Sequence, residues 1–93
     1  NSNKILAKTQ LSKGGMTSTI VDVRIVMKQA LEHSAVAIIL VHNHPSGSLI
    51  PSKSDTQLTE KFKMAAESLE IKVLDHIIVT EKAYFSFADE RLI

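Results

Sequence analysis

The sequence predicts an α/β domain in which a mixed β-sheet has helices packed on it. Two stretches with apolar residues at helical spacing carry this reading, together with a continuously apolar, β-branched run between them. With 93 residues the chain is one domain, residues 1–93, with no room for a second module. A chain of this size buries only about 60–65% of its unfolded surface, so the core must be compact.

Residues 5–11 read as a strand, Gly14-Gly15 as a turn or bulge, and Thr17 to Val21 as an antiparallel partner. Asp22 is a good N-cap, and Val23, Val26, Met27, Ala30 and Leu31 then recur at helical spacing, predicting a first helix to about His33. Val36 to Val41 is continuously apolar, the pattern of a strand buried on both faces in the middle of a sheet. The segment Asn43 to Ser54 holds both prolines, one of the three glycines and four serines, which makes it a structured loop. Leu58, Phe62, Ala65, Ala66 and Leu69 mark a second helix over Ser54 to Leu69. Strands at Ile71 to Thr80 and Ala83 to Phe87 follow, closed by a short polar turn of helix near Asp89-Glu90. The predicted order is β-β-α-β-loop-α-β-β.

Composition excludes several classes. At 44% hydrophobic and 23% charged residues the chain is too apolar for a disordered segment. A net charge of +1, with Lys and Arg scattered among Asp and Glu, leaves no basic stripe to attract nucleic acid. Without cysteine there is no disulfide and no thiolate site, so any metal must be held by His and carboxylate. No apolar run approaches the ~18 residues of a membrane span and no signal-peptide pattern is present, so a cytoplasmic protein without a membrane partner is the expectation. The start at Asn1, without Met and directly before Ile5-Leu6-Ala7, reads as an excerpt from a longer polypeptide.

Chemistry concentrates in the loop. Residues i and i+2 of a strand share a face, so His42 and His44, at the carboxyl end of the apolar strand, aim both imidazoles to one side. Asp55 falls in the first turn of the second helix, where its carboxylate can fold back to complete a His, His, Asp set. Three such ligands leave a fourth position for water, the pattern of a catalytic rather than a structural zinc site. Taken singly each element has a plainer reading: His-x-His at a strand end is more often an incidental surface pair, Ser52 an N-cap, and Asp55 a carboxylate favoured by the helix dipole. The adjacent letters His42-Asn43-His44 are not an HNH nuclease signature, because those enzymes draw the three residues from separate elements.

Together, His42-x-His44-Pro45, six residues, then Ser52-x-x-Asp55 resembles the JAMM motif of the JAB/MPN zinc metalloproteases. The flanking Asn43, Pro45-Ser46-Gly47, Pro51 and Asp75-His76-Ile77-Ile78-Val79 look like its bacterial RadC branch, over nearly the whole chain. The resemblance implies a cytidine-deaminase-like, three-layer α-β-α fold, with Zn2+ held by His42, His44 and Asp55. It also implies a catalytic role for Ser52, whose hydroxyl would steady the water and the oxyanion, and a peptide or isopeptide substrate. His76 reads as a hydrogen-bonded structural residue outside the site. The RadC name further carries an association with DNA repair, and the fold also serves as a non-catalytic scaffold; these are the competing functions.

One part of the pattern has no match. JAMM chemistry uses a glutamate from a strand upstream of His-x-His, and the only Glu before His42 is Glu32, a helix-surface carboxylate. The resemblance places that glutamate before Asn1, together with the first strand of the sheet. The expectation is a domain that binds zinc, is nearly inactive alone, and exposes a sheet edge through which it could dimerise.

Overall fold

A computed structural model describes residues 22–44 and 46–93. The strands expected at 5–11 and 17–21, and the turn at Gly14-Gly15, lie outside the described residues. Helix α1 spans Val23–Glu32, strand β1 Ala37–Asn43, helix α2 Lys53–Ser68, strand β2 Lys72–Val79 and strand β3 Tyr84–Ser86. The sheet order is β1-β2-β3. β1 and β2 are parallel and joined by α2, while β2 and β3 are antiparallel, so the sheet is mixed as predicted.

Asp22 caps α1, its carboxylate accepting the Arg24 N–H at 2.9 Å. Val23, Val26, Met27 and Ala30 are buried, as their spacing demands, whereas Leu31 at the border of the stripe is exposed. They share one core with Phe62 and Ala66 of α2, Val73 of β2 and Ile71 just before it. Ile38 and Leu40 of β1 pack against the same core. The described residues thus form two layers, and the third layer of the expected α-β-α arrangement is not among them. None of their helices is long and apolar enough to cross a membrane.

β1 departs from the predicted two-sided burial. The strand starts at Ala37, leaving Val36 78% exposed, and Ile39 and Val41 are 52% and 62% exposed while Ile38 and Leu40 face the core. A continuous apolar run lacks the alternation that would distinguish one buried face from two. Leu69 of the predicted second stripe is likewise exposed, because the helix has ended by Ser68. The polar segment near Asp89-Glu90 is a single turn, closed by the Glu90 N–H to the Ser86 carbonyl at 3.2 Å, and not a helix.

The pairing of β1 with β2 contains an irregularity that positions the later site. Ile38 pairs with Val73 but Ile39 with Asp75, so Leu74 is an extra residue on β2. Without it, Val73 and His76, three residues apart, would face opposite sides of the sheet. With it, Val73, His76 and Ile78 are all buried, and His76 lies level with Leu40.

Both helices end without glycine. Ser34 (φ 52°) follows α1, with N–H bonds from Ser34 to Leu31 O at 3.0 Å and from Ala35 to Ala30 O at 2.9 Å. Glu70 (φ 57°) follows α2, with Glu70 bonded to Glu67 O at 3.1 Å and Ile71 to Ala66 O at 2.8 Å. These are Schellman stops, in which a left-handed residue lets two carbonyls of the last turn find donors. Glu70→Gly should therefore stabilise the fold by about 0.5–1 kcal/mol, and Glu70→Val should destabilise it by a similar amount. Urea midpoints at unchanged m-value check both signs.

Candidate metal centre

Each histidine is placed by a different piece of backbone. His42, near the end of β1, lies on the same face as Leu40 and Ile38. Asn43 between the histidines is exposed on the other face. His44 lies past the strand, but its N–H still donates to the Val79 carbonyl at 3.0 Å, so β2 continues to hold it. The chain then turns, the Gly47 N–H donating to the His44 carbonyl at 3.0 Å. Gly47 has φ 84° with nothing near a would-be Cβ, so glycine is required there by conformation and not by space. The His44 ring donates from Nδ1 to the Ser48 carbonyl at 2.9 Å.

The carboxylate arrives by helix capping. Ser52 is the N-cap of α2: its Oγ accepts the Asp55 N–H at 3.0 Å, and its own N–H donates to Asp55 Oδ2 at 2.7 Å. This reciprocal capping box fixes the Asp55 side chain while it starts the helix. Asp55 is 9% exposed and offers one oxygen to each ring, with Oδ1 3.1 Å from His42 Nε2 and Oδ2 3.1 Å from His44 Nε2. The structure thus brings together all three predicted ligands, and Ser52 lies beside them in the capping role.

The donor set suits a cation. Each Nε2 lies 3.1 Å from its own Asp55 oxygen, and one ligand atom from each of the three residues falls within 4.8 Å of the others, a cluster small enough to close on one ion. A carbonyl only accepts, so the bond to Ser48 commits the proton of a neutral His44 to Nδ1. Its Nε2 then has only a lone pair to set against Asp55 Oδ2, a contact that a positive ion between them makes favourable. Burial would raise the Asp55 pKa, but the bonds from Ser52 and the two nearby imidazoles outweigh it and hold the carboxyl below its usual range. Burial also pushes His42 down, with Asp55 opposing and His44 adding to the shift. Neutral imidazoles and an ionised carboxylate are the protonation states that metal binding requires.

A family model described as a RadC-like JAB domain matches residues 1–92. The chain belongs to that family. Among relatives of this RadC-like JAB domain, a UPF0758 protein of Flavobacterium johnsoniae is 59% identical over 90 residues, which is 97% of this chain and 39% of that protein. UPF0758 proteins of Porphyromonas gingivalis and Trichlorobacter lovleyi are 50% and 46% identical, with 99% and 98% of this chain covered against 41% and 40% of theirs. The RadC-like JAB domain described here therefore spans about two fifths of the length of these relatives.

Sequence reasoning placed His76 among structural residues and gave Thr59 no role. In the structure His76 is 1% exposed, and its Nε2 lies 2.8 Å from His42 Nδ1. Its Nδ1 lies 2.6 Å from Thr59 Oγ1, and its ring stacks on Phe87 with centroids 4.7 Å apart. His76 is hydrogen-bonded as expected, but its partner is a candidate ligand. The available signal was a polar ring within an inner strand, which requires a buried partner.

Burial, reinforced by His42, pushes the His76 pKa down from 6.5 to about 4. As pH falls through this window the unfolded chain takes up the proton first, so protonation favours unfolding. The metal-free protein should accordingly lose on the order of 3 kcal/mol of stability from this residue between pH 6.5 and pH 4. Asp55 acts only below that window, since its depressed pKa costs stability as pH falls through the carboxylate range. Urea unfolding across the window measures the loss, and His76→Gln should flatten it.

Proposed function

We propose that this domain is the metal-binding part of a zinc-dependent hydrolase acting on amide bonds of peptides or isopeptides. The observation that carries the proposal is the convergence of two Nε2 atoms, from His42 and His44, on the two oxygens of Asp55. Membership of the RadC-like JAB family supports it. Zinc, when bound by these three residues, supplies a Lewis acid that polarises a carbonyl and acidifies water.

The chain's own residues account for the other roles. Ser52 Oγ accepts the Asp55 N–H and retains its own proton, which can be donated to an oxyanion forming beside the cluster. The rings are held from their Nδ1 sides, His42 by His76 and His44 by the Ser48 carbonyl, which the turn at Gly47 brings into reach. The proton-transfer group lies elsewhere. All ten Asp and Glu residues of the chain fall among the described residues, and of these only Asp55 belongs to the histidine cluster. Glu32 is exposed in the last turn of α1, as its helix-surface reading requires. His76 is too deeply buried to reach a substrate. In our reading the base comes from the additional length that the relatives carry.

Purified without added metal, the domain should retain about one equivalent of zinc, and His44→Ala should lose it; elemental analysis reads both. The 93-residue chain should hydrolyse isopeptide and peptide substrates at least ~10²-fold more slowly than a full-length relative. Activity of the longer protein should be abolished by chelator. Robust, chelator-sensitive hydrolysis by the 93-residue chain itself would place the base within it. A salt-dependent gel shift would instead favour a nucleic-acid role.

A further inference from the structure

We infer that Thr59 and His76, neither of which is itself one of the three ligands, are positioning residues that set the tautomer of His42 and through it the affinity of the site for zinc. The inference rests on the reading of His42, His44 and Asp55 as metal ligands. It follows from counting protons along one buried chain of hydrogen bonds.

Thr59 Oγ1 lies 2.9 Å from the backbone carbonyl of Asp55 and 2.6 Å from His76 Nδ1. A hydroxyl has a single proton, and the carbonyl, which cannot donate, takes it. Toward His76 the Thr59 oxygen is therefore an acceptor, so His76 carries its proton on Nδ1. The neutral ring then presents a bare Nε2 to His42 Nδ1 at 2.8 Å, and His42 must be the donor in that bond. With its proton held on Nδ1, His42 presents the Nε2 lone pair toward Asp55 and the cluster, the form in which an imidazole binds metal.

The opposite arrangement is also geometrically possible, which gives the inference content. Were Thr59 to donate to His76 Nδ1, His76 would donate from Nε2, and His42 would carry its proton on Nε2, pointing at Asp55. That form gives Asp55 Oδ1 a donor in the metal-free protein, but it blocks the ligand atom and forfeits the Thr59 bond to the Asp55 carbonyl. Stacking on Phe87 and an exposure of 1% keep His76 from exchanging partners with water. His44 needs no such chain, since the Ser48 carbonyl fixes its tautomer directly. The two histidines are thus prepared by different means, and only the His42 branch passes through a residue of α2 four positions beyond Asp55.

The test compares Thr59→Val, which removes the hydroxyl at nearly constant shape, with Thr59→Ser, which keeps it. Zinc affinity is read by competition with a chromophoric chelator, and histidine tautomers by 15N NMR of the ring nitrogens, with and without zinc. In the wild-type protein His76 should be the Nδ1–H tautomer in both states. Thr59→Val should weaken zinc binding about 10–100-fold and move His76 to Nε2–H in the metal-free protein, while Thr59→Ser stays near wild type. A folded Thr59→Val protein with wild-type affinity, or a wild-type His76 protonated on Nε2, would overturn the inference. If Thr59→Val does not fold, the wild-type His76 tautomer alone decides. A wild-type protein that binds no zinc would count against the proposed function, whereas the metal-free tautomer would still judge the inference.

Discussion

The structure depends on one carboxylate that performs two jobs at once. Asp55 closes the capping box that starts α2, and the same oxygen pair faces the rings of His42 and His44. Burying a carboxylate is costly unless donors and positive charge surround it. The Ser52 N–H supplies a donor, and a cation held between the Nε2 lone pairs and the carboxylate would supply the charge. Helix start and cluster therefore form or fail together, and α2 cannot shift along its axis without dispersing the site.

The hydrogen bonds beyond that carboxylate extend the same logic into the core. The Asp55 backbone carbonyl anchors Thr59, Thr59 meets His76, and His76 meets His42, so the chain of contacts leaves Asp55 by its main chain and returns by its side chain. It crosses from helix to inner strand to end of the described sheet. Phe87, 1% exposed, stacks on the His76 ring and covers it from solvent. No buried side-chain nitrogen or oxygen among the described residues lacks a partner, as a polar network inside a small core requires.

Much of this was legible in the sequence, and what was not has identifiable reasons. Helical spacing gave α1 and α2, and the Pro, Gly and Ser content gave the loop that carries His44 and Ser52. His42, His44 and Asp55 were found because strand alternation and a helix start are local rules, each spanning a few residues. The one-sided burial of β1 escaped because Ile38 through Val41 are all apolar whichever way they face. The Schellman stops carry Ser34 and Glu70 where glycine would have announced them. Thr59 and His76 are 17 residues apart and meet only because α2 packs across β2, a relation that no local pattern encodes.

The extra residue Leu74 has a consequence for how this small domain can vary. It divides β2 into two segments of opposite phase: before it Val73 serves the shared apolar core, and after it Asp75 and His76 serve the turn ties and the cluster. Either segment can change its side chains without altering which face the other presents. One short strand thus acts as two separable modules, so that the packing of the domain and the tuning of its centre can drift independently through substitution.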